Sequence, residues 1–202
     1  MYYVLVILCA YLIGSSSMSY YISKIKGVDM QKKGSKNLGA SNAMGVLGWK
    51  YGILVGIHDI GKSALAVFLA KLIFPDLPHI GAIAGVASVL GHIFPFYLKF
   101  KGGKGFASYI GMTIALNWKL ALIICVIIVL ATLITDYIVV GTTLTITIVP
   151  TALGFLEHSW ILPLILIIGT LIIIWKHREN YVRILKGTEI GLRSANRGEH
   201  RS

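Results

Sequence analysis

Long apolar stretches that alternate with short polar ones dominate the pattern along this 202-residue chain. A helix needs roughly 20 apolar residues to cross a bilayer, and stretches near that length recur. The pattern predicts seven helical segments, at about residues 2–22, 51–74, 80–98, 106–116, 120–135, 142–156 and 160–175. The fourth is short, which favours a helix that is tilted or buried among others. The predicted fold class is an all-α, polytopic integral membrane helix bundle of about seven transmembrane segments, with residues 1–202 as a single membrane-embedded domain.

Composition and charge placement support this prediction and orient the bundle. Hydrophobic residues make up 56% of the chain and charged residues only 13%, which excludes a soluble domain of this length. The net charge is +11, and 16 of the 19 Lys and Arg residues lie in the regions 24–50, 99–104 and 176–202. Seven crossings put all three regions on one side, which the positive-inside rule makes cytoplasmic. We therefore expect the N-terminus outside and the C-terminus in the cytoplasm. Anionic headgroups account for the charge, so nucleic acid is not an expected partner.

One polar stretch has the composition of an anion site. Residues 99–105, here called the glycine-lysine loop, hold three glycines and three lysines between two apolar segments. Glycine lets the backbone come close to a ligand, successive N–H groups can surround an anion, and lysine adds a mobile positive charge. This chemistry suits a phosphate group. The alternative is a basic turn whose glycines only make it tight.

Other polar residues lie on the same predicted face or inside the apolar segments. Two further clusters, at residues 35–42 and 177–189, belong to the cytoplasmic regions, and His58, Asp59, Lys62 and His92 lie within the segments. Ionisable groups in a membrane are costly and usually face a partner or a water-filled site. Asp59 and Lys62 are three residues apart, so they can pair on one helix face. The alternative is a pair that only neutralises itself.

Several enzyme classes are excluded because their motifs are missing. The chain has no H-E-x-x-H spacing of a zinc protease and no G-x-S-x-G nucleophile elbow. No histidine has an aspartate five positions later, the pair that acyl-CoA-dependent glycerolipid acyltransferases use. No metal and no cofactor are expected. Cations, hydroxyls, amides and backbone N–H groups remain, and these bind phosphate and stabilise developing negative charge.

Three motifs, in order along residues 34–189, resemble those of one family. They are Gly34-Ser35-x-Asn37-x-Gly39-Ala40-x-Asn42, then Gly91-His92-x-Phe94-Pro95 with Phe100-Lys101-Gly102-Gly103-Lys104-Gly105, and last His177-Arg178-x-Asn180-x-x-Arg183 with Gly187-Thr188-Glu189. They are similar to the motifs of the bacterial acyl-phosphate:glycerol-3-phosphate acyltransferases. Asp59-x-x-Lys62 matches a short feature that follows the first motif.

The resemblance implies a seven-helix enzyme of the bacterial plasma membrane, with its active site facing the cytoplasm. It would transfer a fatty acyl group from acyl phosphate to the 1-hydroxyl of sn-glycerol 3-phosphate, giving lysophosphatidic acid and phosphate, the first acylation of phospholipid synthesis. Membrane lipids are expected partners, and a monomer is expected.

The resemblance also implies the site residues, and no protein side chain is a clear general base in it. The catalytic residues would be Ser35, Lys104, His177 and Asn180. Ser35 and Lys104 would hold phosphate, and His177 and Asn180 would position the reacting groups. The substrate-binding residues would be Lys36, Asn37, Gly39, Asn42, His92, Gly102, Gly103, Gly105 and Thr142, with the three glycines supplying backbone donors.

The chain departs from the family pattern at three positions. Gly45, Asp136 and Val139 stand where the resemblance leads us to expect Arg, Arg and Ser. Lys36, where the family favours glycine, offers a replacement charge, whereas Asp136 would repel a phosphate. Two alternatives therefore stay open. One is a divergent paralogue with an altered substrate or lost activity, and the other is a lipid-binding or transport membrane protein, which ionisable groups within spans would suit.

Overall fold

The computed structural model describes residues 1–193, and the chain divides into two compact units, residues 1–116 and residues 117 onward. Both units are helical, and no strand occurs among the described residues. The all-α prediction is therefore confirmed. The prediction of a single domain stays a prediction.

Close helix contacts build the first unit. Its elements are α1 (Tyr2–Ser15), α2 (Met18–Lys26), α3 (Ala40–Leu47), α4 (Trp49–Ile73), α5 (Ile80–Ile93), a 3₁₀ turn (Phe96–Leu98) and α6 (Phe106–Leu116). A Cβ added to Gly14 of α1 would collide with the backbone of Ser88, and one added to Gly91 of α5 would collide with the carbonyl of Tyr11. Glycine thus brings the α1 and α5 backbones together, as small residues do in membrane helix pairs.

Four helices form the described part of the second unit. They are α7 (Trp118–Thr135), α8 (Ile138–Leu156), α9 (Ile161–Lys176) and α10 (Arg178–Leu185). α8 packs against both α7 and α9, and the hydroxyl of Thr170 on α9 donates to the carbonyl of Ile146 on α8 at 2.8 Å. α9 and α10 meet at a bend of 46°, so α10 leaves the direction of the apolar helix before it.

Length and composition suit several of these helices to a membrane. Five stretches of the described residues are long and apolar enough to cross one, and they are Tyr2–Lys26, Trp49–Ile73, Ile80–Leu98, Trp118–Thr135 and Ile138–Leu156. The bent α9–α10 pair would be a sixth, and α6 is shorter, with 11 residues. Each predicted segment is therefore helical, and the chain is a multi-pass membrane protein. The number of crossings and their orientation stay predictions.

Three predicted boundaries were wrong. The first segment is two helices, because the chain breaks at residues 16–17 and the Ser17 side chain caps α2. Residues 40–47, which lie outside every predicted helical segment, form α3. The segment predicted from about residue 142 begins earlier, at Ile138, so Gly141 lies inside α8. The residue with the left-handed turn conformation is Asp136, at φ 72°.

Candidate active site

Asn42, at the start of α3, organises the loop that carries the first motif. Its Oδ1 accepts from the N–H of Ser35 at 2.8 Å. Its Nδ2 lies within 3.2 Å of three backbone carbonyls of the loop, those of Met30, Lys33 and Asn37. Asn42 is only 5% exposed. This residue was predicted to bind substrate, and the structure places its amide among groups of its own loop.

Asn37 orients the hydroxyl of Ser35. Its Nδ2 donates to Ser35 Oγ at 2.8 Å, and its Oδ1 accepts from the N–H of Gly39 at 2.8 Å, just before α3 begins. Ser35 itself is exposed. Because Ser35 Oγ accepts from Asn37, its own proton points to another acceptor, and a phosphate oxygen can fill that role.

The first motif contains two positions with left-handed backbone, Gly34 at φ +58° and Lys36 at φ +55°. A Cβ at Gly34 would collide with Asn42 Oδ1, so this position requires glycine. Lys36 is exposed and occupies a conformation that favours glycine. Gly45 lies on an exposed part of α3, and a Cβ there would meet no atom within 4 Å. The space for the arginine that the resemblance leads us to expect is therefore open.

The glycine-lysine loop folds back onto the end of α5. The N–H of Gly102 donates to the carbonyl of Ile93 at 3.1 Å, and the N–H of Gly103 donates to that of His92 at 3.2 Å. The expectation that these two N–H groups bind phosphate is therefore wrong, because the last carbonyls of α5 already hold them. A Cβ at Gly102 would collide with the His92 carbonyl, and one at Gly103 with the His92 ring. The two glycines serve this close approach.

The glycine-lysine loop ends where α6 begins. Gly105 has φ +95°, and its carbonyl accepts from the N–H of Tyr109 at 2.8 Å, which starts the helix. The half-buried Lys104 immediately precedes it. N–H groups in the first turn of a helix lack partners within the helix, and this end attracts anions. The anion-binding capacity of the loop therefore lies at Lys104 and Gly105.

The loop that carries the first motif is bonded to the glycine-lysine loop. The side-chain amide of Gln31 donates to the carbonyl of Lys101 at 2.7 Å. Met30 and Leu38 of the first loop share an apolar cluster with Leu98, which directly precedes the glycine-lysine loop. The structure thus brings the first two motifs together. Sequence reasoning missed Gln31, since its partner is a backbone carbonyl 70 positions away and carries no residue signature.

A polar cluster, here called the buried polar cluster, lies against the glycine-lysine loop and consists of the buried Asp59, Lys62 and His92 with the half-buried Ser16 and His58. Lys62 Nζ is 2.9 Å from Asp59 Oδ1, 2.9 Å from His92 Nδ1 and 2.7 Å from the Ser16 carbonyl. His92 Nδ1 is also 3.3 Å from Asp59 Oδ1, and His58 Nε2 is 3.1 Å from Ser16 Oγ. The predicted Asp59–Lys62 pair is confirmed. His92, predicted to bind substrate, is 7% exposed and bonded within this cluster.

The third motif is assembled around Glu189 in the second unit. Glu189 Oε1 accepts from Asn180 Nδ2 at 2.6 Å, and its Oε2 is 2.5 Å from Arg183 Nε. His177 Nδ1 is 2.9 Å from the carbonyl of Ile173. A carbonyl can only accept, so Nδ1 carries a proton, and Nε2 is the acceptor of the neutral ring. His177 and Asn180 are both buried.

Thr142, which was expected to bind substrate, is buried in α8. Its hydroxyl donates to the carbonyl of Ile138 at 3.1 Å. The next residue, Thr143, has its hydroxyl 2.9 Å from that of Tyr181 on α10. α8 therefore contacts the helix that carries Asn180 through Thr143, while the hydroxyl of Thr142 bonds its own helix.

Asp136 holds the segment that follows the third motif. Its Oδ1 accepts from the N–H of Arg193 at 2.8 Å, and its carbonyl accepts from the N–H of Leu192 at 2.9 Å. The Arg193 side chain donates to the carbonyl of Leu133 at 2.9 Å. The carboxylate at this position thus has a local role that the sequence did not reveal.

Comparison with known proteins gives concordant matches. The family model described as glycerol-3-phosphate acyltransferase matches residues 4–187. Glycerol-3-phosphate acyltransferase 1 of Oceanobacillus iheyensis is 36% identical, with 96% of this chain and 97% of the relative covered. The enzyme of Halalkalibacterium halodurans is 37% identical, with 92% of this chain and 93% of the relative covered.

Solved structures match as well. The crystal structure of PlsY (YgiH), an integral membrane glycerol 3-phosphate acyltransferase, in its glycerol 3-phosphate form matches with a TM-score of 0.90 and 30% identity, over 99% of this chain and 100% of that chain. Its lysophosphatidic acid form matches with a TM-score of 0.85 and 32% identity, over 95% of each.

Proposed function

Because the chain belongs to the glycerol-3-phosphate acyltransferase family, we propose that it transfers a fatty acyl group from acyl phosphate to the 1-hydroxyl of sn-glycerol 3-phosphate. The products are lysophosphatidic acid and inorganic phosphate. The related PlsY is known in a glycerol 3-phosphate form and a lysophosphatidic acid form, which supports this acceptor and this product. The active site lies on the cytoplasmic side of a bacterial plasma membrane, and the chain acts as a monomer.

One observation supports acyl phosphate as the acyl donor. The loop that carries the first motif and the glycine-lysine loop are joined to each other in the first unit. Gln31 and the shared apolar cluster hold the loops together, and Asn37 fixes the hydroxyl of Ser35. Ser35, Lys104 and the start of α6 then offer a hydroxyl proton, a cation and helix N–H groups. An acyl phosphate presents a doubly charged phosphate to such a set.

The proposed reaction needs little from the protein beyond positioning and charge stabilisation. The 1-hydroxyl oxygen of glycerol 3-phosphate attacks the acyl carbonyl carbon and forms the ester bond. The bond from that carbon to the phosphate oxygen breaks, and phosphate leaves with the bonding electrons. The hydroxyl proton passes to the phosphate. Acyl phosphate is already activated, so holding the reactants in contact removes much of the barrier.

His177 and Asn180 are assigned to this reaction through the resemblance of the third motif. The Ile173 carbonyl sets the His177 tautomer in which Nε2 is an acceptor, and such an acceptor suits orientation of the attacking hydroxyl. Glu189 holds the side-chain amide of Asn180 through its Nδ2, which fixes the direction of the side-chain oxygen Oδ1. Both residues are positioned by neighbours before substrate binds, which reduces the cost of organising the transition state.

A donor comparison tests the reaction class. Purified protein in detergent receives glycerol 3-phosphate with either palmitoyl phosphate or palmitoyl-CoA, and lysophosphatidic acid is measured. We expect product from palmitoyl phosphate and none from palmitoyl-CoA. Product from palmitoyl-CoA alone would contradict the proposed donor.

Two substitutions with matched controls test the proposed phosphate ligands. Ser35→Ala and Lys104→Ala should each lower kcat by about 100-fold, the scale of one lost preorganised donor. Ser41→Ala, at an exposed serine of the same motif, and Lys101→Ala, at an exposed lysine of the same loop, should lower it much less. Equal losses for Lys104→Ala and Lys101→Ala, both in folded protein, would contradict the assignment of Lys104.

A further inference from the structure

The buried polar cluster touches the glycine-lysine loop at one residue, His92. The His92 carbonyl accepts from the N–H of Gly103. The edge of the His92 ring that carries Nε2 lies so close to the Gly103 Cα that an added Cβ would collide with it. Gly103 directly precedes Lys104. The backbone path that leads into Lys104 is therefore in contact with both the carbonyl and the ring of His92.

The rest of the cluster fixes the orientation of that ring. His92 Nδ1 lies 2.9 Å from Lys62 Nζ and 3.3 Å from Asp59 Oδ1. Lys62 is held in turn by Asp59 and by the Ser16 carbonyl, which the break between α1 and α2 exposes. The side chains of Asp59, Lys62 and His92 are at most 6% exposed. The ring can thus neither rotate nor shift without breaking buried charged contacts, which is costly.

We propose that Asp59, Lys62 and His92 are positioning residues that act through Gly103 on Lys104. The pair on α4 locks the His92 ring, and the locked ring sets the path of the glycine-lysine loop and with it the place of the Lys104 side chain. The role of Lys104 in binding phosphate rests on the function proposed above. The positioning of the loop does not, and it can be measured separately.

The contact between Gly103 and the ring gives a specific test with a matched control. Gly103→Ala places a methyl group against the His92 ring, and a displacement of this kind near reacting groups can cost about 100-fold in kcat/KM. His92→Asn keeps a polar atom near Lys62 but removes the ring edge. In the His92→Asn background, Gly103→Ala should therefore cost a much smaller factor. Gly102→Ala collides with the His92 carbonyl and Pro95 instead, so its cost should be the same in both backgrounds.

A second background tests the α4 pair. Asp59→Asn combined with Lys62→Met removes both charges together, which avoids an unpaired buried charge. The ring is then free to move, and Gly103→Ala should again cost much less than in the parent. A cluster that only stabilises the helix bundle would lower activity in this background without changing the relative cost of Gly103→Ala.

Thiol labelling reads the loop without turnover. In protein free of Cys9 and Cys125, a probe thiol at Lys101→Cys should react with maleimide at a different rate after Gly103→Ala. In the His92→Asn background, where the ring is absent, Gly103→Ala should leave the labelling rate close to that of His92→Asn alone. Relief of Gly103→Ala but not of Gly102→Ala supports the proposal, even where the parent shows no turnover and the proposed function fails. An unchanged labelling rate after Gly103→Ala, or equal relief of both alanine variants, overturns it.

Discussion

Lys36 combines an exposed positive charge with a backbone conformation that suits glycine. A side chain at φ +55° costs roughly 1 kcal/mol relative to glycine. Lys36→Gly should therefore leave the fold intact or slightly stabilise it. It should also raise the KM for glycerol 3-phosphate several-fold, because our hypothesis assigns the charge of Lys36 to the role of the missing arginine. Steady-state kinetics in detergent would measure this, with little change expected in the KM for acyl phosphate.

Two further variants, one at Lys36 and one at Lys33, separate the effect of the Lys36 charge from the effect of its backbone conformation. Lys36→Asn tolerates the left-handed conformation but carries no charge, so it should match Lys36→Gly. Lys33→Gln, which neutralises another exposed lysine of the same loop, should leave acceptor affinity unchanged. An unaltered KM in both Lys36 variants would show that Lys36 does not compensate for the arginine.

Gly45 tests the same compensation from the other side. A Cβ there meets no atom within 4 Å, and replacement of a helical glycine by arginine also favours the helix by up to about 1 kcal/mol. Gly45→Arg should lower the KM for glycerol 3-phosphate, because arginine binds phosphate through two parallel hydrogen bonds whereas lysine offers a point charge. Gly45→Gln, of similar length and neutral, is the control. Activity that appears only after Gly45→Arg would identify the natural chain as a paralogue that has lost this acceptor.

Among the elements, the C-terminal segment of the described chain is fastened by Asp136. Asp136→Gly keeps the left-handed conformation but removes the carboxylate that accepts from the N–H of Arg193. The loss of one such hydrogen bond, about 1 kcal/mol, should increase local opening roughly 5-fold. Limited trypsin digestion followed by mass spectrometry should then show faster cleavage after Arg193. Asp136→Asn retains an acceptor and should stay close to the parent, and equal rates in all three proteins would argue against this anchoring role.

The sequence predicted the apolar helices because hydrophobic length is a local property of the chain. It did not predict the break between α1 and α2, where the Lys62 ammonium group donates a hydrogen bond to the Ser16 carbonyl. It also misjudged the N–H groups of Gly102 and Gly103, since glycine composition permits a phosphate loop and equally permits a loop bonded to α5. Hydrogen bonds between distant positions leave no periodic signal. The motifs therefore indicated the candidate site residues, whereas only the structure revealed their hydrogen-bond partners.

At the scale of the whole molecule, the positions of the basic residues predict an orientation of the chain in the membrane. The concentration of Lys and Arg in residues 24–50, 99–104 and 176–202 predicts that all three regions lie in the cytoplasm. Single cysteines at Lys36 or Arg193, in a background free of Cys9 and Cys125, should resist a membrane-impermeant maleimide in intact cells. Cysteines at Asp76 or Glu157 should react. Labelling of the first pair in intact cells would reverse the predicted orientation.

The most direct test of the proposed function is the balance of products from palmitoyl phosphate and glycerol 3-phosphate. Lysophosphatidic acid and inorganic phosphate are measured in the same reaction with purified protein, with Lys104→Ala as the control of strongly reduced activity. The proposed reaction predicts that both products accumulate in equal amounts and that both depend on Lys104. Phosphate release without lysophosphatidic acid, or no turnover by the folded protein at saturating substrates, would contradict it.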